Sequence, residues 1–165
     1  MCSIAGSING ELRFVKKMIF TMRHRGPDEE SFFFDEMIQL GFRRLSIIDL
    51  KHGSQPMISS NKNLIMVFNG EIYNYKEVRE KLKEKGINIK TNSDSEVLLE
   101  SYQFWGNKFL DKINGMFAIA IYHKKTKKIK LIRDRFGIKP LYFSMTEKNF
   151  IFSSEIKSLI ESQLV

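Results

Sequence analysis

The chain holds a single cysteine, three prolines and three histidines in 165 residues, and each scarcity removes a class of protein. One cysteine cannot close an internal disulfide, which sets aside the small cross-linked secreted scaffolds and fits a reducing compartment. His24, His52 and His123 are scattered, so no pair has the spacing of a zinc site. No apolar run approaches the roughly 20 residues of a membrane span. The opening Met-Cys-Ser-Ile-Ala-Gly also lacks the charged region and long apolar core of a signal peptide. A cytoplasmic chain without a membrane partner is expected. A G-x-S-x-G elbow, a P-loop and a G-x-G-x-x-G turn are missing too, which removes the commoner hydrolase and nucleotide-binding frames.

The net charge of +8 raises the question of nucleic acid. Much of the excess sits in Lys81, Lys83 and Lys85 on one helix, and in Lys124, Lys125, Lys127, Lys128 and Lys130 around a hairpin turn. Both read as solvated faces, and neither is interleaved with the aromatic platforms of a single-strand binder, so no nucleic-acid partner is expected.

What is present suits one globular domain: 42% apolar and 28% charged residues, without a linker or repeat. Val15, Met18, Ile19 and Met22 form a helical stripe over 12–22, and Tyr75, Val78 and Leu82 another over 75–85, stopped by Gly86. Ser93-Asp94-Ser95-Glu96 matches a capping box that opens a helix through Leu98, Tyr102 and Trp105 and leaves Asp94 free in the first turn. A final helix over 154–162 is expected, with Ser153 or Ser154 as cap.

Strands are expected over 31–34, 37–42, 64–68, 117–122, 128–131, 141–143 and 150–153. The unbroken run Leu64 to Phe68 predicts a strand covered on both faces, ending in a turn at Asn69-Gly70. Ala118 and Ala120 give one strand a small face that another layer can approach closely. Helices and strands come in blocks, which predicts an α+β fold with mainly antiparallel sheets.

For chemistry, Cys2 has two readings. It is a small buried hydrophobe opening a first strand, or, once Met1 is removed, a nucleophile whose own α-amine is its base. The amine titrates near pH 8 and a thiol near 8.5, so the amine can take the thiol proton at neutral pH. Four polar loops accompany it, around Arg25, Arg44, Asn69-Gly70 and Asp94, and each alone has a bland explanation as turn, cap or surface charge.

Together they form an ordered series: Met-Cys-Ser-Ile-Ala-Gly, Arg-His-Arg-Gly-Pro-Asp, Arg-Leu-Ser-Ile-Ile-Asp, Phe-Asn-Gly-Glu-Ile-Tyr-Asn, Ser-Asp-Ser-Glu, Asn-Gly-Met-Phe-Ala and Arg-Asp-Arg-Phe-Gly-Ile-Lys-Pro-Leu-Tyr-Phe. From Cys2 to about Ser158 the chain resembles the glutaminase domain of glutamine-dependent asparagine synthetases, a class II glutamine amidotransferase of the N-terminal-nucleophile hydrolase type. One departure is Phe42, where many relatives carry histidine.

The resemblance implies a four-layer αββα sandwich of two mainly antiparallel sheets. It implies Cys2 as nucleophile, with Asn69 and Gly70 as oxyanion donors. Arg44 would grip the α-carboxylate of glutamine and Asp94 its α-ammonium, with Ile47 and Glu71 completing the pocket. The product would be ammonia for a C-terminal synthetase domain or subunit. This domain needs no cofactor by that reading, since ATP and Mg belong to the synthetase half, and a homodimer is allowed. Residues 1–165 are expected to be one glutaminase domain, cut short of its last strands and without the synthetase half. The loop 133–143 is expected to serve domain coupling rather than the cysteine chemistry.

Overall fold

The computed structural model describes residues 1–47, 49 and 53–165. Ile48 of the Arg-Leu-Ser-Ile-Ile-Asp motif and His52 lie outside them. One sheet contains β1 (Ser3–Ile8), β2 (Glu29–Phe34), β3 (Ile38–Arg44), β8 (Tyr142–Met145) and β9 (Phe150–Ser153), in the order β2-β3-β1-β9-β8. The other contains β4 (Met57–Ile58), β5 (Leu64–Ile72), β6 (Gly115–His123) and β7 (Lys128–Arg133), in that order. Every pairing is antiparallel.

Strand alternation sorts the apolar side chains into three layers of core. Ile65 and Val67 of β5, with Ala118, Ala120 and Tyr122 of β6, meet Ile4, Leu40, Phe42 and Phe152 between the sheets. On the opposite face Met66, Phe68, Ile119 and Ile121 pack on Leu98, Leu99 and Tyr102 of α3 (Asp94–Trp105). The uninterrupted run in β5 follows from this double coverage. Helix α2 (Tyr75–Glu84) adds Val78 and Leu82 against Val97 of α3. Helices α1 (Leu12–Thr21) and α4 (Ile156–Glu161) cover the first sheet through Val15, Met18, Ile19 and Leu159 on Ala5 and Ile151. The result is the expected α+β, four-layer αββα sandwich. Each large side chain buried here stabilises it by about 1.5–3 kcal/mol, and the small Ala118–Ala120 face leaves no room for more, since overpacking costs about 1–3 kcal/mol.

Three local expectations are corrected. Asn69-Gly70 is not a turn: β5 runs through it to Ile72, with Asn69 opposite Ala118 and Gly70 opposite Phe117. Glycine is required there because a Cβ would stand 2.2 Å from the Met116 carbonyl oxygen, too close for any side chain. The capping box is half formed. Ser93 Oγ accepts from the Glu96 amide at 3.2 Å, but the Glu96 carboxylate turns to the Lys90 and Thr91 amides instead of reaching back. The last helix is preceded by Glu155 rather than by a capping serine: Ser154 Oγ accepts from the Ile4 amide at 3.0 Å, and Ser153 Oγ bonds Ser158 Oγ at 2.9 Å. Strand β4 and a 3-10 turn over Gly106–Asp111 carry too few residues for periodicity to reveal them.

Candidate active site

Strand register brings the polar loops to one place. Ser3 pairs with Arg43, so Cys2, just before β1, comes alongside the Arg44 end of β3. Its Sγ lies against the Leu45 backbone, accepting from the amide at 3.4 Å and donating to the carbonyl at 3.6 Å. The facing sheet contributes Asn69, Gly70 and Glu71 from the end of β5. Asp94, the first residue of α3, closes on them by accepting from the Ile72 amide at 3.1 Å, so it is not free in its turn. All seven expected site residues, Cys2, Arg44, Ile47, Asn69, Gly70, Glu71 and Asp94, line one cavity of about 140 Å³.

The cavity is polarised. Arg44 is 5% exposed, lies 3.3 Å from the Glu29 carboxylate and donates to the Asp49 carbonyl at 2.6 Å. Also lining the cavity is Asp94, whose carboxyl burial pushes up to about 6, with the Glu71 charge adding to the rise. Burial also raises the Cys2 thiol, while the chain's terminal ammonium and Arg44 oppose that shift. The Asn69 Nδ2 donor is buried and has no hydrogen-bond partner, an unpaired donor on the wall of the cavity. Phe42 lines the same cavity from the core between the sheets.

The sequence reading missed the role of Arg25 and the place of Gln55 and Lys139. Arg25 sits in the Arg-His-Arg-Gly-Pro-Asp segment, but nothing in the segment tells that its Nε donates to the Cys2 carbonyl at 3.2 Å while its guanidinium pairs with Glu155 at 3.3 Å. Gln55 lines the cavity from just ahead of β4, with only a Gln-Pro dipeptide to mark it. Lys139 is buried, and its ammonium is depressed by burial and by Arg25. It belongs to the loop 133–143 that was expected to stand apart from the cysteine, so that expectation needs correction. The loop wraps around Asp134, whose carboxylate accepts from the amides of Phe117, Phe136, Ile138 and Lys139, and this wrapping delivers Lys139 to the cavity wall.

Met1 lies over the thiol side of the site. Its ammonium donates to the Arg25 carbonyl at 2.9 Å, and Lys139 Nζ lies 3.1 Å from its sulfur. Among the described residues no group of His, Cys, Asp and Glu could hold a metal ion, and no helix is long and apolar enough to cross a membrane.

A thiol, an unpaired amide donor and side chains of both charge signs around one cavity suit a small zwitterion. A family model described as a glutamine amidotransferase domain matches residues 1–165. The chain belongs to the glutamine amidotransferase domain family. Among similar proteins are two asparagine synthetases [glutamine-hydrolyzing] of Bacillus subtilis, numbers 1 and 2. They are 42% and 44% identical over 99% and 96% of this chain, but over only 27% and 22% of their own lengths. Asparagine synthetase B of Escherichia coli is 36% identical over 97% of the chain and 30% of its own. The amidotransferase domain thus spans about a quarter of the length of these relatives. Its fold is also that of a solved glutamine phosphoribosylpyrophosphate amidotransferase from B. subtilis, with a TM-score of 0.82 at 18% identity over 98% of this chain and 44% of that one.

Proposed function

We propose that this domain hydrolyses the side-chain amide of glutamine to glutamate and ammonia. The observation that carries the reading is the buried, unpaired Asn69 Nδ2, set in one cavity with Cys2, Arg44 and Asp94. An unsatisfied buried donor costs about 1–3 kcal/mol, and an acceptor that appears only during reaction accounts for keeping it.

In this reading Met1 is removed and the Cys2 amine takes the thiol proton. Burial and neighbouring Arg25 depress the ammonium at Met1, the amine that now stands beside the thiol. The thiolate attacks the amide carbon, and the new oxyanion takes hydrogen bonds from Asn69 Nδ2 and the Gly70 N–H. Phe117 commits its own N–H and C=O to Asp134, so the Gly70–Phe117 pair is one that exchanges no hydrogen bonds, and the Gly70 N–H faces away from β6. The C–N bond breaks, the nitrogen takes up a proton and leaves as ammonia, and water cleaves the Cys2 thioester to glutamate.

Arg44 receives the substrate carboxylate and Asp94 its ammonium, with Glu71 and the backbone near Ile47 at the rim. No cofactor takes part in these steps. Ammonia passes to an ATP- and Mg-dependent synthetase unit of the asparagine synthetase type, a partner proposed from the longer relatives.

The test is glutamate release by the purified chain without ATP, Mg or aspartate, alongside its intact mass. Release only from protein lacking Met1, and none from Cys2→Ala, is expected. Turnover by Met1-retaining protein or by Cys2→Ala would refute the mechanism.

A further inference from the structure

Gln55 occupies an unusual place: its side chain does the work of a strand. Antiparallel pairing of β4 with β5 sets Met57 opposite Met66 and Ile58 opposite Ile65, so the same register puts residue 55 opposite Phe68. The backbone of residue 55 does not supply that rung, since its carbonyl accepts from Ser31 Oγ. Instead the Gln55 carboxamide completes the missing rung, its Oε1 accepting from the Phe68 amide at 2.6 Å and its Nε2 donating to the Phe68 carbonyl at 3.1 Å. The same Nε2 lies 3.3 Å from Ser95 Oγ, next to Asp94 at the start of α3. The side chain is buried.

Backbone polar groups alternate between strand edges with a period of two. On the edge of β5 that turns away from β6, the Phe68 N–H goes to Gln55, the Ile72 N–H goes to Asp94, and the Gly70 N–H lies between them. A continued β4 would offer this edge a regular ladder of acceptors. A single carboxamide satisfies Phe68 and stops, which leaves the next N–H on the edge, that of Gly70, open to the cavity.

We infer that Gln55 is a positioning residue for the oxyanion donors: it pins β5 at Phe68 so that the adjoining Asn69 side chain and Gly70 N–H hold their places, and it ties that strand to the helix carrying Asp94. This rests on the glutaminase reading above. Two of the three bonds go to Phe68, which adjoins Asn69, and one to Ser95, so the oxyanion donors depend on Gln55 more than the substrate clamp does. Gln55→Leu, close in size but without polar atoms, should therefore lower kcat more than it raises KM.

Displacing donors by about an ångström costs up to roughly a hundredfold, so a fall in kcat of about 10- to 100-fold with KM changed less than threefold is expected. Gln55→Glu separates positioning from mere bulk. Its ionised carboxylate would face the Phe68 carbonyl without a donor, whereas the protonated acid restores one, so its kcat relative to wild type should rise as the pH is lowered. Alkylation of Cys2 by iodoacetamide forms no oxyanion and should keep its wild-type rate in Gln55→Leu. Exchange of the Phe68 amide hydrogen should quicken in the same variant.

Unchanged kcat in a folded Gln55→Leu, or a rise in KM alone, overturns the inference, as does an equal loss of alkylation. Wild-type protein without Met1 that releases no glutamate would sink the glutaminase reading instead. Faster Phe68 exchange in Gln55→Leu would then still identify the strut, and unchanged exchange would dismiss it.

Discussion

Replacing Asp94 by Asn should make the protein more stable and the site worse. Asp94 is 6% exposed, and burial raises its carboxyl from 3.8 to about 6. Each unit is worth about 1.4 kcal/mol, so holding the charge costs the native state about 3 kcal/mol at neutral pH. The sign follows from proton binding. Between about pH 4 and 6 the native state keeps a proton that the unfolded chain has lost, so stability declines as pH rises through this window and stays low above it. Asn never ionises, and its carbonyl can still accept from the Ile72 amide that Asp94 now engages. The advantage of Asp94→Asn should be near zero at pH 4 and reach about 3 kcal/mol by pH 7. In a domain of this size that is roughly 6–12 °C in Tm. The assay is thermal and urea unfolding of both proteins from pH 4 to 8, with KM for glutamine measured in parallel. KM should rise about tenfold or more in the variant, and in the wild type it should rise below about pH 6 as Asp94 becomes neutral. An Asp94→Asn protein less stable than wild type at pH 8, or a stability difference flat from pH 4 to 7, would refute the reasoning.

Other expectations concern neighbouring parts of the site. Asn69→Ala should cut kcat by about 100- to 1000-fold with little change in KM, because its donor acts on charge that forms after attack; steady-state kinetics decide it. Gly70→Ala should destabilise the fold or displace β5, since the methyl group would lie 2.2 Å from the Met116 carbonyl oxygen, and a drop in the urea midpoint would register this. Asp134→Ala leaves the amides of Phe117, Phe136, Ile138 and Lys139 without their acceptor and should cost about 1–3 kcal/mol or more. Backbone hydrogen bonds hold the Asp134 carboxyl below its usual value, so its contribution is present above about pH 4 and is lost as the pH falls through the lower folded value. Unchanged stability at pH 7 would count against that account.

Much of this was legible in the residues. Period and caps located α1, α2, α3 and most strands, and the alanines of β6 announced the close inter-sheet layer. All seven expected site residues meet at one cavity. What stayed hidden depends on distant partners. Asn-Gly favours a turn by local preference, but pairing with β6 overrides it and keeps β5 extended through Gly70. The serines before α4 are drawn off by Ile4 and Ser158. Gln55 and Lys139 reach the cavity only because β4 pairs with β5 and the 133–143 loop folds onto Asp134, contacts that no local pattern encodes.

The position of Met1 constrains how such a domain can be joined to anything else. Cys2 directly precedes β1, a strand flanked on both sides, and Met1 is already engaged by Arg25 and Lys139. On the proposed mechanism, any peptide left ahead of Cys2 turns its amine into an amide and acts as a covalent off-switch. Purification tags therefore belong at the Val165 end. On that mechanism activity begins only when cleavage has exposed the Cys2 amine.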